Sequence, residues 1–105
     1  MSEFVREEMQ FCAELIHQDE DPEAHGLTVE QMCGMRWALQ DPLCNPLTWK
    51  PPHRKVMARY LQGRYLTYVD QARFAGGDGD MEAAKAFDRD AKKLRKWVNQ
   101  LRKGT

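Results

Sequence analysis

The chain has 105 residues, 42% apolar and 30% charged, and its sixteen basic and sixteen acidic side chains give a formal net charge of zero. No apolar run approaches the roughly 18 residues that span a bilayer. The opening residues are acidic where a secretory leader is basic and then apolar, so neither a membrane helix nor a leader is expected. A length of this order predicts one domain with a core that needs no metal or disulfide. Cys12, Cys33 and Cys44 are an odd number, each beside apolar residues, and read as buried, reduced thiols of a cytoplasmic protein.

The zero net charge hides a division. Residues 1–42 carry a net charge of −8 and residues 43–105 a net charge of +8. Such asymmetry marks either a surface for a polyanion or two halves that attract each other within one fold.

The apolar periodicity predicts four helices and no strand. The first runs from about Ser2 to His17, with Ser2 as cap and an apolar arc that includes Phe4, Val5, Met9, Phe11, Cys12, Leu15 and Ile16. The second runs from about Val29 to Gln40. Thr28-Val29-Glu30-Gln31 is a capping box, in which Thr28 and Gln31 each satisfy the other's amide, and Leu27 and Met32 stand at the positions of a hydrophobic staple. Asp41-Pro42 stops this helix. The apolar, proline-containing segment 41–51 is expected to pack across the helices, anchored by Trp49.

The third helix runs from about Pro52 to Ala75, with Met57, Leu61, Tyr65, Tyr68, Ala72 and Ala75 as its inward stripe. Gly76-Gly77-Asp78-Gly79 breaks it. The fourth runs from about Asp80 to Lys103 along a narrow seam of Ala84, Phe87, Ala91, Leu94, Val98 and Leu101. Two long helices of similar length joined by a short glycine-rich turn describe an antiparallel hairpin. The predicted fold class is therefore all-α, a four-helix bundle built on that hairpin, with two shorter N-terminal helices packed on it. Gly63, the aromatic-rich helix after it, the Gly-Asp turn, and Ala83, Phe87 and Ala91 together resemble one tetratricopeptide hairpin. The first helix and the turn are several residues too long for that repeat and only one copy is present, so no family is assigned.

Two features carry functional expectations. Lys85, Arg89, Lys92, Lys93, Lys96 and Lys103 fall within about 100° of arc opposite the apolar seam of the fourth helix, a stripe about 27 Å long. Lys55, Arg59 and Arg73 share an outer face of the third helix, with Leu66 among them and Tyr60 and Phe74 to one side. Exposed Leu and aromatic side chains beside Arg are the make-up of a protein-binding hot spot, whereas the cations alone would suit a nucleic-acid backbone. The second feature is a pair of charges set in apolar arcs: Glu8 in the first helix and Arg36 in the second. Neither is cheap to bury alone, and a Glu8–Arg36 ion pair between consecutive helices is the expected resolution.

No nucleophile elbow, phosphate loop, dinucleotide-binding glycine pattern or H-E-x-x-H motif is present. No pair of cysteines has metal-binding spacing, and His25 beside Asp19, Asp21 and Glu23 is the one weak candidate. These readings point away from an enzyme, a metal or a cofactor. They favour a small protein-binding module, an adaptor or inhibitor that works by occupying a surface, as accessory proteins of phages and mobile elements do. The alternative is a nucleic-acid-binding protein using the basic faces of the third and fourth helices. Pairing of acidic and basic parts between copies would make a homodimer.

Overall fold

The computed structural model describes residues 1–19, 21, 24 and 26–103, and within them every regular element is helical. Four α-helices follow in order: α1 (Glu3–Asp19), α2 (Val29–Ala38), α3 (Pro51–Gly77) and α4 (Met81–Arg102), with a short 3₁₀ segment at Pro46–Thr48 before α3. Glu23 and His25, on which the weak metal reading depended, lie outside the described residues.

Local chemistry sets most of the boundaries. The Val5 amide donates to Ser2 Oγ at 3.3 Å, which caps α1 as expected. At α2 the capping box is complete: the Gln31 amide donates to Thr28 Oγ1 at 3.1 Å and the Thr28 amide to Gln31 Oε1 at 2.8 Å. Leu27 and Met32, the staple positions, are both buried. α2 ends two residues before Gln40, because Gln40 and Asp41 donate back three residues, to Trp37 and Ala38, and tighten the chain ahead of Pro42. Prolines 51 and 52 both occupy the first turn of α3, where the missing amides are not needed.

The α3–α4 turn differs from the expected glycine break. Gly76 and Gly77 remain helical, and only Gly79 takes a left-handed backbone, at φ +83°. The Asp80 amide reaches Ala75 O at 2.9 Å and the Gly79 amide reaches Gly76 O at 3.2 Å, the paired bonds of a Schellman cap. Asp80 then caps α4, its carboxylate accepting from the Ala83 amide at 3.0 Å. One residue thus closes α3 through its amide and opens α4 through its side chain.

The core draws on every helix. Val5, Met9, Cys12, Ala13 and Ile16 of α1 meet Met32 and Met35 of α2 with Leu39 at its C-cap, Val56, Met57, Ala58 and Leu61 of α3, and Leu94, Val98 and Leu101 of α4. The 3₁₀ segment packs on α4, with Pro46 buried and Leu47, Cys44 and Trp49 partly buried against the core, as expected of the proline-containing stretch. Leu43 is the exception, at 88% exposure. Phe11 also leaves the predicted apolar arc and is half-exposed.

This core sits at one end of a molecule measuring 47 × 27 × 24 Å. α3 contributes core residues only from its N-terminal part and α4 only from its C-terminal part. Beyond them, α3 and α4 continue against each other alone, through half-buried Ala72, Ala75, Ala83, Ala84 and Phe87. Ala at these positions lets two helices run close together without a wide apolar interface. A Cβ added at Gly76 would stand 4.0 Å from that of Ala84, an ordinary van der Waals contact.

Leu94 is fully buried and Leu66 is half-exposed. Urea unfolding should therefore show Leu94→Ala destabilising by about 2–5 kcal/mol, from lost transfer energy and the cavity left behind, and Leu66→Ala by less than about 1 kcal/mol.

Candidate interaction surface

The Glu8 carboxylate does not meet Arg36. It accepts from Arg64 of α3, with Nε 2.6 Å from Oε2 and a second guanidinium nitrogen 3.2 Å from Oε1, and from the Tyr68 hydroxyl at 2.5 Å. Arg36 pairs instead with Glu14, at 2.8 Å on the surface. The physical reason is the stripe that α2 buries. Met32, Met35 and Leu39 define it, which leaves Arg36 at its edge beside α1 rather than over the core. Arg64 and Tyr68 are one turn apart on α3, so both reach the same carboxylate.

Burial alone would raise the Glu8 carboxyl. The hydrogen bonds from Arg64 and Tyr68, with the guanidinium charge, outweigh it and hold the group below its ordinary 4.5. Burial, then the bond donated to Glu8, pushes the Tyr68 phenol up to about 12. Three aromatic rings surround the pair. Arg64 lies 4.5 Å above the Phe11 ring and 5.7 Å from that of Tyr68, and Phe4 meets Tyr68 edge-on at 5.6 Å. Two guanidinium donors and one hydroxyl thus reach the two carboxylate oxygens, and the cluster ties α1 to α3.

The residues expected to form a basic surface are all exposed: Lys55, Arg59, Leu66 and Arg73 on α3, and Lys85, Arg89, Lys92, Lys93, Lys96 and Lys103 on and just past α4. They do not form one face. Arg73 and Lys85 line a shared groove of about 360 Å³ floored by Val69, Ala72 and Ala84, with Asp88 on its rim. Lys55 and Arg59 line another, of about 890 Å³, with Arg102 and Ala24. Between the two, Arg95 holds its guanidinium 6.0 Å from the Tyr65 ring. Lys93 turns the other way, toward α1, with its ammonium 5.7 Å from the Phe4 ring and 3.8 Å from Asp90. Lys92 is tied to Asp88 at 3.1 Å. Glu82, in the first turn of α4, falls on the arc of the α4 lysines and lowers the charge of that end.

Arg95 and Arg102 were not among the expected surface residues, because both lie outside the densest α4 arc. The signal that finds them is their position flanking the apolar seam, on the side where α3 carries Lys55 and Arg73.

The three cysteines are free thiols in different surroundings. Cys12 is fully buried, and burial, with the Glu8 charge, pushes it up to about 12. Cys33 and Cys44 are only half-buried, and Cys33 Sγ lies 3.7 Å from His17 Nδ1. Among the described residues no three His, Cys, Asp or Glu side chains gather to hold a metal ion. An open depression of about 340 Å³ beside Trp49 includes Met35 and His53, whose imidazole burial and Lys50 hold below the ordinary 6.5.

Large apolar side chains stand in solvent at several places. Trp37 is 72% exposed, Phe74 73% and Leu66 51%. Tyr60, grouped with Phe74 in the sequence, is instead partly covered and shares a groove with Phe11 and Leu15 of α1. No helix among the described residues is long and apolar enough to cross a membrane. Comparison of the chain with protein-family models, with curated proteins and with solved structures gives no match.

Arg64→Ala leaves Glu8 buried without its cation and should cost about 3 kcal/mol, the low end of the range for a broken buried pair because Arg64 keeps some solvent contact. The pH dependence has a fixed sign. Since folding lowers the Glu8 carboxyl, its stabilisation is full above the unfolded value of 4.5 and is lost as pH falls through the lower folded value. Glu8→Gln should flatten that acid limb in urea titrations across pH 2–6, and an unchanged limb would show that Glu8 is not the group responsible.

Proposed function

We propose that this chain is a single-domain, non-enzymatic protein-binding module of the cytoplasm, an adaptor or inhibitor that acts by occupying a surface. In this reading α3 and α4 form an antiparallel hairpin with α1 and α2 bundled on its base. The order of contacts supports it: Arg54 reaches the Lys103 carbonyl, Tyr65 meets Arg95, Tyr68 meets Phe87 and Gly76 faces Ala84, so one helix ascends as the other descends.

The observation that carries the reading is Leu66. It is half-exposed midway along α3, seven residues from Arg59 on one side and from Arg73 on the other, with the stacked Tyr65–Arg95 pair beside it. Single exposed apolar side chains are ordinary on a protein surface, but Leu, Tyr and Arg close together are what a partner's apolar anchor and acidic rim require. The second reading, a nucleic-acid-binding protein, draws on the basic outer faces of α3 and α4, whose exposed cations suit a phosphate backbone.

Two measurements separate these. Random duplex and single-stranded DNA should bind no tighter than about 10⁻⁴ M near physiological salt, the weak end of non-specific binding. Tight binding that falls steeply with salt would establish the second reading instead. In captures from native lysate, partners retained by the wild-type chain should be lost with Leu66→Asp, whose circular dichroism should match the wild type.

A further inference from the structure

We infer that the molecule associates with itself, the acidic outer stripe of α1 in one copy seating in the open α3–α4 trough of the next. This rests on the reading of the α3–α4 face as a protein-binding surface and names its occupant.

α1 buries Val5, Met9, Cys12 and Ile16 on one side. On the other it exposes Glu3, Glu7 and Glu14, with half-exposed Phe11 at the stripe's edge. Glu14 is held by Arg36, but Glu3 and Glu7 have no ion-pair partner among the described residues. The stripe is thus an acidic helix face with one aromatic anchor, about 16 Å long from Glu3 to Glu14.

The trough offers the complement. The groove lined by Arg73, Lys85, Val69, Ala72 and Ala84 is its upper part, and exposed Leu66 and the Tyr65–Arg95 contact lie about two turns before Arg73 along α3. From Tyr65, at the level of Arg95, to Arg73 the rim spans about 12 Å, comparable with the stripe. Small side chains on the floor leave room for the ridge of an incoming helix. Asp88, the one acidic group lining this groove, is already neutralised by Lys92.

Charge supplies the selection. With a net charge of zero, two copies do not repel at long range, while exposed Glu3 and Glu7 of one copy attract Arg73, Lys85 and Arg95 of the next when they approach in the right sense. The two faces also point in opposite directions. Arg64, which meets α1, stands about 160–180° around α3 from Leu66 and Arg73, and Lys93, which meets Phe4, stands about 160° around α4 from Arg95. A contact between opposite faces of one molecule is heterologous and does not close at two copies. The product is a short open chain rather than a symmetric dimer.

Sedimentation equilibrium from about 0.02 to 1 mM tests this. In about 20 mM salt the weight-average mass should more than double from the monomer's 12.3 kDa, and in about 0.5 M salt it should return to it. The double variants Glu3→Lys/Glu7→Lys and Arg73→Glu/Arg95→Glu each turn both faces to one sign and should stay monomeric alone. Mixed in equal amounts they should associate again, a restoration that misfolded chains would not show. A wild-type mass fixed at that of the monomer, a variant that associates alone as well as the wild type, or a mixture that stays monomeric would each overturn the inference. Partner capture that still depends on Leu66 would then leave the protein-binding reading standing on its own.

Discussion

A carboxylate set in the apolar face of α1 has to find a cation before that face can be covered. Glu8 is 9% exposed, with Val5, Met9 and Cys12 buried around it. Left unpaired it would oppose the burial of its neighbours by several kcal/mol. Arg64 and Tyr68, one turn apart on α3, satisfy both oxygens, and they do so at only one register of α1 along α3. A shift by one turn would leave either the carboxylate or the guanidinium in apolar surroundings. The cluster therefore acts as a stop that sets how far α1 slides along the α3–α4 pair. The Phe11, Phe4 and Tyr68 rings then fill the space around it.

The position of that stop explains where the core ends. α1 begins beside Tyr68 and Phe87 and runs toward the α3 N-terminus, so the three-helix part of the molecule stops near Tyr68. Past this level α3 and α4 have only each other. Their sequences change there in the corresponding way, from Val56, Met57, Leu61, Leu94, Val98 and Leu101 to Ala72, Ala75, Ala83 and Ala84. Large apolar side chains in this region would have no third helix to cover them. Phe74, which does occur there, stands on the side of α3 away from Ala72 and is exposed.

What could be read from the sequence was what depends on neighbours in the chain. The Thr28–Gln31 box, the Asp80 cap and the α4 seam all rest on spacings of three or four residues, and all form as expected. The Glu8–Arg36 pairing failed for the opposite reason. It assumed that consecutive helices share a charge, whereas the true cation is 56 residues away and lies on the flank of a helix whose inward stripe was drawn through Tyr65 and Tyr68. Tyr68 itself held the clue. A phenol on an inward stripe needs a polar partner when covered, and Arg64 one turn before it offers a cation to the same acceptor. The assignment of nine cations and Leu66 to the outer faces of α3 and α4 was limited differently. Helical periodicity places residues around each helix but does not say which side of the α3–α4 pair α1 will cover.

That choice of side decides what the charge division means. Had α1 covered the α4 lysine stripe, the two halves would neutralise each other inside the fold. Instead α1 spends one carboxylate on α3, through Glu8 and Arg64, and turns Glu3 and Glu7 outward, while Arg73, Lys85 and Arg95 face the opposite way. The pair of longest helices is therefore left with one face closed by α1 and α2 and one face open. An open helical face normally loses its apolar side chains, because solvent gives no reason to keep them. This one keeps Leu66 and Val69 between arginines and lysines, and floors the space with alanine. Leu66 and Val69 offer an incoming helix apolar contact, and the arginines and lysines around them favour one with an acidic face.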